Sequence, residues 1–234
     1  MTIVKHSKGV RKARARATRR RILAAAYRLF CEHGYAPTTM GAIAEAAGVA
    51  VQTLHFTFHT KAELLIAVAD AQAAGEEDPK PVMERPGMVA AFSSTNPYRS
   101  LALAVEHGTD IYARLAPLAA AIQAAASVDE DVAADWAGVA RARKAGMGLL
   151  IERLAAGGHL SSQLTVQRAT DLTFVLFSHE TFLGLTVGSG WTTQEYKAWL
   201  FGSLCTQLLG GRSSAKRIKA AEGLSYRQAL QSIQ

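Results

Sequence analysis

Residues 18–70 read TRRRILAAAYRLFCEHGYAPTTMGAIAEAAGVAVQTLHFTFHTKAELLIAVAD. Ile22, Ala26, Leu29 and Phe30 recur at helical spacing, which predicts a first helix over 18–32, closed by Gly34. Met40, Ile43, Ala44 and Ala47 mark the apolar face of a second helix over 40–47, with Thr39 as its cap and Gly48 as its stop. Val49 leads into a third helix over 51–58. The small Ala44 lets two helices cross closely, Gly48 supplies a left-handed turn, and Leu54 anchors the helix that follows. This is the pattern of a helix-turn-helix, which presents its second helix to the major groove of DNA. Thr60 and Glu63 form a T-x-x-E box that opens a fourth helix, carrying Leu64, Leu65 and Val68 and fading near Ala74.

On these residues the segment resembles the DNA-binding domain of the TetR family of transcriptional regulators. The matching positions are Ile22, Ala26, Leu29, Phe30, Gly34, Tyr35, Thr38, Thr39, Ile43, Ala44, Ala47, Gly48 and Val49, then Thr53, Leu54, Phe58, Lys61, Leu64 and Leu65. The chain departs from the family at His55, where a tyrosine is usual, and at Phe56 and Thr57, where basic or polar residues are usual. The resemblance implies an all-α protein, with an N-terminal three-helix DNA-binding domain and a C-terminal helical domain for effector binding and dimerisation.

Charge is distributed to match. The net charge is +7, yet Lys5, Lys8, Arg11, Lys12, Arg14, Arg16, Arg19, Arg20 and Arg21 all precede the first acid, and the remainder is slightly acidic. A polycationic arm beside a reading motif is a footprint for phosphates, adding affinity and salt dependence more than sequence choice. Composition marks a basic arm (1–17) and a polar tail (212–234), in which a weak helix is expected near 224–233; between them the resemblance implies a DNA-binding domain (18–62) and a helical effector-binding and dimerisation domain (63–211).

Hydrophobic content of 49%, much of it alanine, favours close helix packing, and no strand alternation or internal repeat is visible. Cys31 and Cys205 make no disulfide framework and read as reduced, mostly buried thiols. The apolar run at 22–26 is too short for a signal core, and the longest apolar stretch, 174–190, carries His179 and Glu180. The expected setting is the cytoplasm, without membrane insertion.

Gly75 to Asn96 is a loop rich in proline, glycine and acid, with room for one short helix near 88–92. Asn96 and Pro97 open a helix over 97–115, and Pro117 a short one to 126. Ser127 with Glu130 caps a long helix to Ala156, closed by Gly157 and Gly158. One helix is expected over 165–187, and Thr192 with Glu195 caps another over 192–209.

Residues near the start of a recognition helix read bases, here Val51, Gln52 and Thr53. The Gln52 amide can pair with adenine, and the Val51 side chain and Thr53 methyl can pack on thymine methyls. Thr39 at a helix N-terminus, Lys61, His55, Phe56, Arg19 and Arg20 complete the expected DNA-binding set, with Thr39 and Lys61 assigned to phosphates by position and by the resemblance. A single recognition helix covers few base pairs, so a homodimer on a palindromic operator is expected. Its surface is assigned to Phe177, Leu183, Trp199, Phe201 and Leu204.

The resemblance places a small-molecule effector in the second domain, and the lining residues offered by the sequence are His107, Asp110, Tyr112, Arg114, Trp136, Arg143, Met147, Phe174, His179 and Phe182. Such pockets are mostly apolar with a few placed polar groups, so a lipophilic or aromatic effector is expected. His107, Asp110 and Arg114 share a face by spacing, which fits an ordinary surface ion pair as well as a site. No cofactor or metal is expected. His55 and His59 have the spacing of a helical metal pair but lack the glutamate of H-E-x-x-H, and no phosphate loop or nucleophile motif supports an enzyme. A DNA-binding protein without ligand control remains the alternative.

Overall fold

The structure, a computed structural model, describes residues 3–75 and 81–209 and contains no strand among them. Contacts divide the described chain into two compact units. One holds the chain to residue 75 together with Leu115–Ala137; the other holds residues 81 to 114 and 138 to 209. This differs from a division at residue 62, because the fourth helix and residues 115–137 complete the core of the first unit. The basic segment is not a separate arm: α1 runs unbroken over Ile3–His33. The polar tail and its weak helix lie outside the described residues.

In the first unit, α1 packs on α2 (Met40–Ala47) and α4 (Lys61–Ala74), with α3 (Val51–Thr57) held against α2. Ile22, Ala26, Phe30, Ile43, Ala44, Leu54, Leu64 and Leu65 fill the centre. Leu118, on a single 3-10 turn, Ile122 on α7 (Ala119–Ala126) and Val132 on α8 (Glu130–Ala156) close it. Gly48 adopts φ +63°, and the Val49 N–H then reaches back to the Ala44 carbonyl at 3.0 Å, satisfying an acceptor that the end of α2 would otherwise orphan. Tyr35 stacks on Phe30 and donates its hydroxyl to Asp129 at 2.9 Å, tying the turn after α1 to the start of α8. Burial and that carboxylate push the Tyr35 phenol up from its ordinary range.

Local chemistry corrects three sequence expectations. Asp129 caps α8, accepting from the Asp131 and Val132 N–H groups, while the Ser127 hydroxyl turns back to the Ala124 carbonyl. Glu63 reaches the His59 N–H, one residue beyond the Thr60 that caps α4. Cys31 is exposed; only Cys205 is buried, and burial pushes its thiol up to about 12.

The second unit contains α5 (Pro86–Ser93), α6 (Pro97–Leu115), most of α8, α9 (Val166–Leu176), α10 (His179–Leu183) and α11 (Thr193–Leu208). The single helix expected over 165–187 is broken. Ser178 is extended and caps α10 through the Thr181 N–H, and a turn of π-helix follows at Gly184–Gly188. The break frees the Phe177 carbonyl, which accepts from the buried Tyr112 hydroxyl at 3.0 Å. Gly108 makes the close approach possible, since a Cβ there would lie 2.4 Å from Phe177 Cζ. Gly108→Ala should destabilise the protein by about 1–3 kcal/mol through overpacking, read as a lower midpoint in urea with an unchanged slope. The capping box at Thr192 and Glu195 forms as the sequence indicates, and its hydrogen bonds hold the Glu195 carboxyl below the usual range.

Candidate nucleic-acid interface

The geometry of α3 separates core from surface residue by residue. Leu54 is fully buried, and Phe58 just beyond the helix is buried too. Val51, Gln52, Thr53, His55 and Phe56 are exposed. Phe56 is 87% exposed, so its ring belongs to the surface and not to the core. Thr57 donates back to the Thr53 carbonyl at 2.8 Å, and His55 Nδ1 lies 3.5 Å from the His59 carbonyl oxygen. Thr39 is exposed and caps α2, its hydroxyl oxygen accepting from the Ala42 N–H at 3.1 Å.

Two residues of the expected DNA-binding set are already engaged within the protein. Lys61 donates to the carbonyls of Tyr35 (2.9 Å) and Ala36 (3.4 Å), with its ammonium 4.2 Å from the centre of the Tyr35 ring. It therefore anchors the turn between α1 and α2 and offers at most its remaining hydrogen to an anion. The Arg19 guanidinium lies 4.5 Å over the Phe58 ring, while Arg20 is exposed. Thr38, which was only a family match in the sequence, is buried and donates to Gly34 O at 2.7 Å, holding the same turn from inside. A threonine next to a cap is the only sequence signal for that role.

The effector candidates do not converge on one place. Trp136 belongs to the first unit, beside Leu65, Ile66, Ala69, Ile122 and Val132. His107 and Asp110 diverge despite their spacing. Gly87 of α5 packs so closely on His107 that a Cβ there would sit 3.0 Å from the ring, and burial with Arg85 and Arg114 nearby lowers the pKa of that imidazole. Asp110 instead accepts from Lys197 Nζ at 2.7 Å, and Glu106 accepts from the same ammonium at 2.9 Å. Lys197 itself is buried, a residue the sequence gave no reason to single out. Arg114 and Met147 are half-buried, on α6 and α8.

Phe174, His179 and Phe182 do gather around Tyr112 and Arg143. Arg143 donates to the Tyr112 hydroxyl at 2.8 Å and lies 4.5 Å over the Phe174 ring. Tyr112 meets Phe177, His179 and Phe182 with ring centres 5.5, 5.6 and 6.1 Å apart. Burial pushes the His179 imidazole down, towards its neutral form. Tyr196, missed in the sequence, packs edge-on against Phe182 at 5.0 Å.

The residues assigned to a dimer surface are largely used inside the unit. Phe177, Phe201 and Leu204 are buried, and Leu183 and Trp199 are half-buried. Exposed large apolar side chains on neighbouring helices include Val139 and Leu149 on α8 and Leu172 and Val175 on α9. Among the described residues no helix is long and apolar enough to cross a membrane, and no group of histidine, cysteine and acidic residues could hold a metal.

The sequence profile of bacterial regulatory proteins of the tetR family matches residues 22–68, the segment built around α2 and α3. No curated protein matches the chain in sequence. Among solved structures, the fold is similar to that of SmeT, the repressor of the Stenotrophomonas maltophilia multidrug efflux pump SmeDEF, with a TM-score of 0.63 and 19% identity over 83% of this chain and 91% of that one. It is also similar to the fatty acid degradation regulator FadR from Bacillus halodurans (TM-score 0.62, 18% identity, 83% and 95% covered). A third, the regulator FadR from Bacillus subtilis in complex with stearoyl-CoA, aligns with a TM-score of 0.59 and 17% identity, covering 80% of this chain and 97% of that one. Residues 22–68 thus form a DNA-binding domain of the tetR family of bacterial regulatory proteins.

Proposed function

We propose that this protein is a cytoplasmic, ligand-responsive transcriptional repressor that binds a palindromic operator as a homodimer and leaves it when a small effector enters the second unit. The observation that carries the reading is the face of α3. Gln52, Thr53, His55 and Phe56 stand exposed together, while Leu54 and the Gly48 turn fix the helix that bears them. In this reading Gln52 pairs with an adenine, Val51 and the Thr53 methyl pack on thymine methyls, and Thr39, His55 and Arg20 face phosphates. Phe56 lies flat on sugar or on a thymine methyl. Arg19 and Lys61 shape the head and add charge to it.

The solved relatives support effector control by what is described of them: one is a repressor of an efflux pump and another carries stearoyl-CoA. The dimer surface runs over Leu149, Leu172 and Val175, which are exposed in the single chain. Two heads in one dimer must meet half-sites roughly 34–36 Å apart, so an effector that alters their spacing lowers affinity, and DNA must weaken the effector by the same factor.

The test is to pass genomic fragments over the purified protein at moderate salt and sequence what is retained. Enrichment of one short inverted repeat is expected. Uniform retention that salt abolishes would leave only phosphate binding and remove the repressor reading. On the enriched repeat, Gln52→Ala should cost about 1–3 kcal/mol at a single base position and relax the preference there, measured by binding to all four bases at each site.

A further inference from the structure

Around Arg143 the second unit buries hydrogen-bond donors that its own groups leave unused. The Tyr112 hydroxyl is occupied on both sides, accepting from Arg143 and donating to the Phe177 carbonyl. Arg143 Nε and Tyr196 Oη are different: both are buried, and neither has a hydrogen-bond partner among the described residues. Tyr196 is completely inaccessible to solvent. Folded proteins rarely leave such atoms unpaired, so each asks for an occupant that supplies an acceptor.

Among the described residues Arg143 has no carboxylate at ion-pair distance, whereas Lys197, next to Tyr196 in the chain, is held between Glu106 and Asp110. One aromatic cluster joins the two donors: the Tyr112 ring, whose hydroxyl Arg143 holds, meets Phe182 at 6.1 Å, and Phe182 meets Tyr196 at 5.0 Å. The surroundings of the two donors are aromatic: Phe174 under Arg143, and Phe182 and Trp199 against Tyr196 at 5.0 and 5.9 Å.

We infer that Arg143 and Tyr196 seat the carboxylate of an effector whose apolar or aromatic body lies among Phe174, Phe182 and Trp199; this rests on the reading that the second unit takes a small molecule. Both groups can donate, and arginine cannot accept, so the headgroup must bring acceptors. A carboxylate brings two oxygens in one plane and a negative charge that pairs with a guanidinium. An amine would set a second cation beside the guanidinium, and an alcohol offers a single oxygen. The rings supply the apolar wall that small-molecule sites require.

The test compares three matched probes, 4-phenylbutyrate, 4-phenylbutanol and 4-phenylbutylamine, by calorimetric titration of the full chain. The acid should bind at least about tenfold more tightly than the alcohol, with the amine weakest. That advantage should vanish in Arg143→Gln and shrink in Tyr196→Phe, which removes one oxygen without changing the ring packing. Equal or better binding of the alcohol or amine would overturn the assignment. So would an acid preference that survives in Arg143→Gln, or no binding of any probe at millimolar concentration. DNA retention distinguishes the seat from the control it serves. Acid that binds but leaves operator affinity unchanged keeps the seat and removes effector control. Alcohol that releases DNA as well as the acid does keeps control and removes the seat.

Discussion

Replacing Lys197 by methionine will cost the protein about 3 kcal/mol of stability, the lower end of what breaking a buried ion pair costs. The Lys197 side chain is only 3% exposed, and its ammonium satisfies Glu106 and Asp110 together. Methionine keeps most of the stem volume, so the loss comes from two carboxylates stranded beside an apolar surface. Those carboxylates are 34% and 46% exposed, and water on that side keeps the cost from reaching the full range. Adding Glu106→Gln and Asp110→Asn to the methionine variant should restore at least half of the loss, because neutral amides need less solvation than stranded charges. Urea unfolding of the single and triple variants decides it. A single variant as stable as the parent would mean that the ion pair contributes nothing.

Leu54→Ala and Phe56→Ala should have opposite signatures although they lie two residues apart. Leu54 is completely buried in the core of the first unit, and truncating it should cost about 2–5 kcal/mol. DNA binding should then fail because the head unfolds. Phe56 contributes almost nothing to that core, so its truncation should leave unfolding within about 0.5 kcal/mol of the parent, as is usual at exposed sites. Its loss should appear only as weaker binding to the enriched repeat. If Phe56→Ala destabilises the fold as much as Leu54→Ala does, the outward face of α3 has been misassigned.

The first unit was legible because its signals are local. Apolar spacing, Thr39 and Thr60 as caps and Gly48 as a left-handed stop each act within one helical turn, and all appear where the sequence puts them. The second unit was less legible because its decisive contacts join residues far apart in sequence. The break at Phe177 depends on a hydroxyl at Tyr112, and the burial of Lys197 depends on acids at Glu106 and Asp110. Phe177, Phe201 and Leu204 looked like surface for a partner because apolar periodicity marks a buried face without saying whether the same chain or another one covers it. The triad of His107, Asp110 and Arg114 failed for a related reason. Spacing puts side chains on one flank, but close packing at Gly87 and the pull of Lys197 direct them to different neighbours.

Because α1 continues through the basic segment, the arm is a rod and not a tether, and its charges have fixed azimuths. At roughly 100° per residue, Lys12, Arg16, Arg19 and Arg20 fall along one side and Arg11, Arg14 and Arg21 along the other. A duplex lying against such a rod meets one row and leaves the other in solvent. The number of counterions expelled on binding is then set by the row that faces the duplex and not by the full complement of cations. The slope of affinity against salt thus becomes a measure of arm geometry as much as of arm charge.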